Sequence, residues 1–206
     1  MKTTFIYLAI ASILFASCNN QEKKEENVTV DTKTAVLQNI HNRKSVRDFE
    51  RRKMISKDDL TTLVKAGMAA PSAVNKQPWE FVAVSDSAVL NALSEKSPNN
   101  KMLRNAGGAI LVCGNSERFL PDGASEFWVQ DCSAATQNIL LAAEAMQLGA
   151  VWTGVYPNME RVKQLQESFN LPETVLPLSF IIIGYPEGEQ TPKDKWQENY
   201  LHWEKW

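Results

Sequence analysis

Histidine and cysteine are scarce in this chain, with two His and three Cys among 206 residues. No Cys-x-x-Cys, no His-x-x-x-His and no second cysteine pair occurs, so most metal chemistry is excluded and no metal site is expected. His41 and His202 are too few and too poorly accompanied for a Ser-His triad. The Gly-x-x-x-x-Gly-Lys phosphate loop, the Gly-x-Gly-x-x-Gly turn and the Gly-x-Ser-x-Gly elbow are all missing. Nine Gly and nine Pro are too few for a low-complexity or collagen-like chain. Nor is there an excess of positive charge: 22 Lys and Arg stand against 24 Asp and Glu, net −2, spread along the sequence. A nucleic-acid binder needs a concentrated basic face, and this chain has none. What remains is 44% hydrophobic and 22% charged, an ordinary globular composition with length for one sizeable domain.

The longest apolar run stands at the N-terminus. Lys2 precedes twelve consecutive apolar or small residues, Phe5 to Ala16, too short to stay in a bilayer and suited to a signal-peptide core. The run ends in Phe15-Ala16-Ser17-Cys18, which resembles the bacterial lipoprotein signal. That resemblance implies removal of residues 1–17, a lipid on Cys18 and a place in the cell envelope; an unused signal would leave the protein cytoplasmic. Residues 18–31 then form a tether. Asn19 to Asp31 has no aromatic residue and carries five charges in Glu22 to Glu26, too polar to order itself. Cys113 and Cys132 could pair in an exported protein, but both stand in apolar settings and single buried thiols are the commoner reading; whether they stay reduced is open.

Residues 32–206 read as one domain. Thr34 to His41 places Val36, Leu37 and Ile40 on one helical face. Ser56 and Asp59 have capping-box spacing, flanked by Ile55 and Leu60 as a hydrophobic staple, so a helix is expected from Lys57 to about Ala70, stopped by Pro71. Phe81–Val84, Ala109–Cys113 and Ser179–Ile183 are β-rich runs bounded by Gly or polar residues. Phe127 to Leu148 is the longest helix candidate, with Gly149 expected as its left-handed cap; apolar on most sides, it must be buried against a sheet or a second subunit. This order of elements gives a three-layer α/β or α+β domain. The C-terminus carries Trp196, Tyr200, Trp203 and Trp206, which implies docking on the chain's own body or on a partner.

Three clusters carry chemistry. Arg43-Lys44-Ser45-Val46-Arg47 puts three cations and a hydroxyl within five residues, suited to a phosphate monoester: a guanidinium for bidentate contact, a hydroxyl as a short donor. Ala70-Pro71-Ser72-Ala73-Val74-Asn75-Lys76-Gln77-Pro78-Trp79 is a stiff polar loop that can read the edge of a flat heterocycle. Gly184-Tyr185-Pro186 leaves the last strand and leads to Lys193 and Lys195. Each cluster by itself is also consistent with an ordinary solvated turn.

In this order and spacing the chain resembles the nitroreductase family of FMN-dependent oxidoreductases over residues 36–206. The resemblance is carried by Arg43, Ser45, Arg47 and Phe49, by Ala70 to Trp79, by the Ala-rich helix before Gly149, by Trp152-Thr153-Gly154 and by Gly184-Tyr185-Pro186. It implies an α+β fold with a mixed, mostly antiparallel central sheet between helices, and an interlocked homodimer with two FMN sites at its interface. Arg43, Lys44, Ser45 and Arg47 would hold FMN, the first Arg and Ser toward phosphate and ribityl and Arg47 near the pyrimidine edge. Pro71, Ser72, Ala73 and Asn75 match the loop that a partner lays along the isoalloxazine. Thr153 and Gly154 match the backbone beside flavin N5, Lys193 and Lys195 the phosphate-binding pair, and Lys101 is a further candidate for the pyrimidine edge. No side chain need act as catalyst, because the flavin carries the redox chemistry.

The implied activity is ping-pong reduction of nitroaromatics, quinones or similar small flat acceptors by NAD(P)H. Two alternatives stand beside it. One keeps FMN but uses ene-reductase, dehalogenase or dehydrogenase chemistry with an envelope electron donor, Glu117 to Glu126 being the one lid-like segment. The other is a non-catalytic flavin-binding lipoprotein. The physiological acceptor, NADH against NADPH or another donor, and the membrane face stay open, because the cleft lining lies in variable segments.

Overall fold

The computed structural model describes residues 31–51, 53–96 and 98–206. The signal segment, Cys18 and the greater part of the tether therefore lie outside the described residues. Thr32–Trp206 forms one compact unit, and among its described residues five α-helices and four strands follow one another, with short 3-10 turns between them: α1 (Thr32–Asn42), α2 (Lys57–Met68), β1 (Trp79–Val84), α3 (Ser87–Lys96), β2 (Gly108–Asn115), α4 (Phe127–Ala145), β3 (Gly149–Gly154), α5 (Met159–Phe169) and β4 (Val175–Gly184). Among the described residues no helix is long and apolar enough to cross a membrane.

The strands form one sheet in the order β1-β2-β4-β3, each neighbouring pair antiparallel. A single parallel bridge, Ser45 to Ala150, lies outside the named strands. The fold is therefore α+β. β2 and β4 are central and bury both faces, which is why they read as unbroken apolar runs. Their side chains alternate between two cores. Ile110, Ile181 and Ile183 pack with Leu63, Ile139 and Ala143 of α2 and α4. Leu111, Phe180 and Ile182 pack with Leu90 and Val162 of α3 and α5. The period of two thus divides the helices into two layers.

Local signals reproduce the expected start of α2. Ser56 caps it, its hydroxyl oxygen accepting from the Asp59 N–H at 3.0 Å, and the staple residues Ile55 and Leu60 are both buried. The Asp59 carboxylate accepts from the Ser56 hydroxyl at 2.7 Å.

One expectation is overturned. α4 stops at Ala145, and the left-handed residue behind it is Gln147, with φ 58°. Gly149 caps nothing; it opens β3, a six-residue strand beyond the three expected, in which Val151, Trp152 and Thr153 are good strand formers. It must be glycine for a different reason, since a Cβ there would lie 2.7 Å from the Val46 side chain.

β4 carries Pro177 opposite Cys113, and the β2–β4 register shifts at this point. Pro has no N–H for the ladder, so a bulge accommodates it. The neighbouring Leu178 carbonyl accepts instead from the N–H groups of Val155 and Tyr156 beyond β3.

Cys113 and Cys132 are buried and unbridged, and the Cys132 thiol donates to the Cys113 carbonyl at 3.4 Å. Burial, with the Glu80 carboxylate adding to it, pushes the Cys113 thiol up to about 12. Burial also raises Cys132, followed by its neighbours Cys113 and Asp131, with Arg118 opposing. The folded state therefore keeps protons that unfolded thiols release near pH 8.5. This contribution to stability is complete below that pH and is lost as pH rises toward about 12, at up to about 1.4 kcal/mol per pH unit for each thiol. Urea unfolding at pH 8 and pH 10.5 checks this. The Cys113→Ala/Cys132→Ala variant should lose less stability between the two pH values than the parent; equal losses would remove the thiols from the account.

Two apolar surfaces stay largely uncovered among the described residues. α1 buries none of its residues, so its expected face of Val36, Leu37 and Ile40 stays exposed. In the C-terminal tail Trp196, Tyr200, Trp203 and Trp206 are 65%, 78%, 75% and 100% exposed. Of the two docking modes expected for the tail, the described part of the chain's own body offers little: Trp196 lines an open pocket with Ile40 and Arg43, and the other three rings stay largely uncovered.

Candidate functional site

The segment Arg43–Phe49 is sewn to the sheet at two places. The Val46 N–H donates to the Ala150 carbonyl at 3.0 Å and Ser45 bridges Ala150; farther on, Phe49 bridges Pro186. Val46 and Phe49 are buried, each lying where a glycine, Gly149 or Gly184, leaves room for it. With these two turned inward, Arg43, Ser45 and Arg47 are left on the outer side. The Pro/Gly turn after β4 then returns past the same place, with the Glu187 N–H donating to the Asp48 carbonyl.

The first and third clusters thereby meet. Arg43, Lys44, Ser45 and Arg47 face Thr191, Lys193 and Lys195 around a cavity of about 280 Å³. Lys44 is turned to Glu144 at 3.2 Å. Among the described residues Arg43, Arg47, Lys193 and Lys195 have no acidic partner. Four unpaired cations around one cavity repel one another, and an anion with several oxygens relieves that repulsion. Arg43, Ser45, Lys193 and Lys195 therefore fit the phosphate of a mononucleotide, and Arg47 stands beside them for another part of such a ligand.

The same sheet edge carries the second half of the site. Val155 donates its N–H to Leu178 of β4, whereas the Ala150 carbonyl points the other way, to Val46. N–H and C=O groups alternate sides along a strand, so those of Trp152 and Gly154 face the open edge. A Cβ on Gly154 would meet nothing within 4 Å, so a flat ligand can approach its N–H closely. Thr153 points its hydroxyl inward, donating to the Phe180 carbonyl at 2.6 Å. Gly154 lies four residues beyond Ala150, about 13 Å along the strand. Lys101 sits in the turn 98–104, exposed and outside the cation cavity. Two residues after it, Leu103 lines a groove together with Thr153 and Gly154.

The loop of the second cluster stands elsewhere. Val74, Asn75 and Gln77 all have positive φ, at 49°, 55° and 48°, an uncommon state for non-glycine residues and a strained one for β-branched Val. Hydrogen bonds hold it: the Gln77 N–H donates to the Ser72 hydroxyl oxygen at 2.9 Å and the Gln77 amide to the Asn75 side-chain oxygen at 3.0 Å. The Ala73 N–H donates to the Asp131 carboxylate at 2.8 Å. Val74 is 81% exposed. Pro71, Ser72, Ala73 and Asn75 are thus presented on a fixed loop near the start of α4. Asp131 and Glu144, the partner of Lys44, stand thirteen positions apart on α4, about 20 Å at 1.5 Å per residue. Within one chain this loop does not converge on the cation cavity.

Sequence reasoning missed Asp131. Its signal was a lone carboxylate within an otherwise apolar and neutral first half of α4, and the side chain is only 7% exposed. Asp131→Ala removes the acceptor of Ala73, which should cost about 1–2 kcal/mol and speed amide hydrogen exchange at Lys76 and Gln77. Asp131→Asn retains an oxygen acceptor and should restore most of the protection. Unchanged exchange in the alanine variant would show that the loop holds itself.

The lid-like segment Glu117–Glu126 is tied down at one end. Arg118 donates to the Trp79 carbonyl and pairs with Glu80, and the Phe119 ring stacks on Trp128 at 5.0 Å.

Comparison with known proteins agrees with this architecture. The model of the nitroreductase family matches residues 40–97 and 91–185, and the chain belongs to that family. A candidate NADH dehydrogenase/NAD(P)H nitroreductase of Archaeoglobus fulgidus is 43% identical, covering 82% of this chain and 98% of its own. The crystal structure of a protein with the same designation from Bacteroides thetaiotaomicron is 46% identical and superposes with a TM-score of 0.77 over 84% of this chain and 98% of that one. A candidate nitroreductase of Desulfovibrio desulfuricans, solved in complex with FMN, is 29% identical with a TM-score of 0.70, covering 83% and 97%.

Proposed function

We propose that this protein is an FMN-dependent NAD(P)H oxidoreductase that reduces small flat acceptors such as nitroaromatics and quinones. One observation carries the reading: the pairing of Ser45 with Ala150 puts an unpaired cation cavity and the outward Gly154 N–H on one edge of the sheet. The D. desulfuricans relative solved with FMN supports the cofactor, and the A. fulgidus relative, by its designation, supports the nicotinamide donor.

Arg43, Ser45, Lys193 and Lys195 hold the phosphate, Lys44 lies at the rim beside them, and Arg47 and Lys101 face the pyrimidine edge. Lysines at 193 and 195 grip a phosphate as point charges, so bidentate recognition falls to Arg43. Thr153 and Gly154 lie beside N5, where the Gly154 N–H can donate. When bound, FMN supplies the hydride and electron chemistry. The protein's part is to place it, exclude water from its face and favour negative charge at its pyrimidine end.

The loop bearing Pro71, Ser72, Ala73 and Asn75 comes from a second copy of the chain, because in its own subunit it lies too far along α4. A homodimer with two shared sites follows, and the uncovered α1 face and aromatic tail are its remaining contacts. Cys18 carries a lipid that anchors the dimer to a bacterial membrane through the tether. Palmitate labelling tests that anchor: label lost on Cys18→Ser supports it, and a wild-type protein without label removes it.

The test of the activity is the visible absorption spectrum of the purified protein before and after anaerobic NADH or NADPH. A flavin spectrum that bleaches is the expected result. A flavin spectrum that persists with both donors would exclude nicotinamides, and a colourless protein that takes up no added FMN would overturn the reading.

A further inference from the structure

β3 ends at Gly154, and the side chain that closes this end comes from α5. Asn158 caps α5, its side-chain oxygen accepting from the Arg161 N–H at 3.1 Å. From this first turn Arg161 reaches back, and its Nη1 donates to the Gly154 carbonyl at 3.1 Å. The N–H and C=O of one strand residue leave the backbone on the same side. The carbonyl held by Arg161 therefore shares the open edge with the Gly154 N–H. Thr153, Gly154, Arg161 and Lys96 surround a small cavity of about 50 Å³ here, over a floor that includes Leu103 and Phe180. Among the described residues Arg161 has no acidic partner to neutralise it.

We propose that Arg161 is a positioning residue that raises the reduction potential of the bound flavin through Gly154. The inference rests on the assignment of Gly154 to the flavin's N5 edge. Two physical effects act together. The guanidinium fixes the orientation of Gly154 at a frayable strand end, so that its N–H stays aimed at the open edge. Its positive charge, one residue's breadth from that N–H, favours the negative charge that reduction adds at the flavin. Both electrons come from the nicotinamide donor, and Arg161 neither gives nor takes any.

The test is the midpoint potential of the FMN-loaded protein, measured by anaerobic equilibration with reference dyes, for the parent, Arg161→Met and Arg161→Lys. Arg161→Met should lose about tenfold in its preference for reduced over oxidised FMN, which is about 30 mV for a two-electron couple. Arg161→Lys keeps the charge and should lose less than threefold. Arg161 is exposed, so both variants should melt within a few degrees of the parent and bind oxidised FMN nearly as well, which separates tuning from loss of structure. A parent potential in Arg161→Met, or an equal fall in Arg161→Lys, overturns the proposal while the FMN assignment stands. A parent protein that binds no FMN overturns both.

Discussion

Replacing Arg43 with alanine should weaken FMN binding by about 30- to 150-fold, equivalent to about 2–3 kcal/mol. Arg43 stands where the two basic segments meet and lines the cavity together with Lys193 and Lys195. No described carboxylate neutralises it, so its whole donor capacity is turned to the ligand. A planar guanidinium offers two parallel N–H groups to a phosphate, and its loss removes both the charge and that geometry. Lys193→Ala or Lys195→Ala should each cost nearer tenfold, because an exposed ammonium is a screened point charge. Fluorescence titration of the flavin-free protein measures all three. Arg43→Lys should recover part of the loss, and the wild-type affinity should fall as salt is raised. A change below threefold in Arg43→Ala would mean that the phosphate is held elsewhere.

Deleting residues 196–206 should convert the dimer to a monomer and, with it, abolish FMN retention. Three Trp, one Tyr and Leu201 lie in this stretch and are exposed in the isolated chain. Each large aromatic ring can bury about 150–250 Å², so covering this tail and the α1 face on both copies reaches the size of a stable interface. Loss of FMN follows from geometry. The loop held by Asp131 is separated from the cation cavity of its own subunit and can complete only the site of its partner. Neither hydrophobic core includes a tail residue, so the truncated chain should still fold, and far-UV circular dichroism would confirm that. Analytical ultracentrifugation reads the outcome. A truncated protein that stays dimeric would remove the tail from the interface, and a monomer that keeps stoichiometric flavin would remove the shared site from the proposal.

What could be read from the residues alone was local. The Ser56 cap and its staple, the apolar face of α1 and the buried runs of β2 and β4 are set by spacings of two to five residues. Their hydrogen bonds and side-chain contacts lie within that reach. The cation clusters and the stiff Pro loop were likewise visible, because charge density and proline are properties of composition over a few positions.

How these pieces meet depends on contacts between distant parts of the chain. That Gly149 makes room for Val46 instead of capping α4, that GAVWTG is an edge strand, and that Asp131 holds the strained loop all depend on residues distant in sequence. Such pairings follow from steric fit and from finding partners for backbone groups. They leave no periodic trace in the chain. The same holds for Arg161 on Gly154: this contact joins the first turn of α5 to the end of β3, so the fold alone makes this side chain close the sheet edge on which the proposed chemistry takes place.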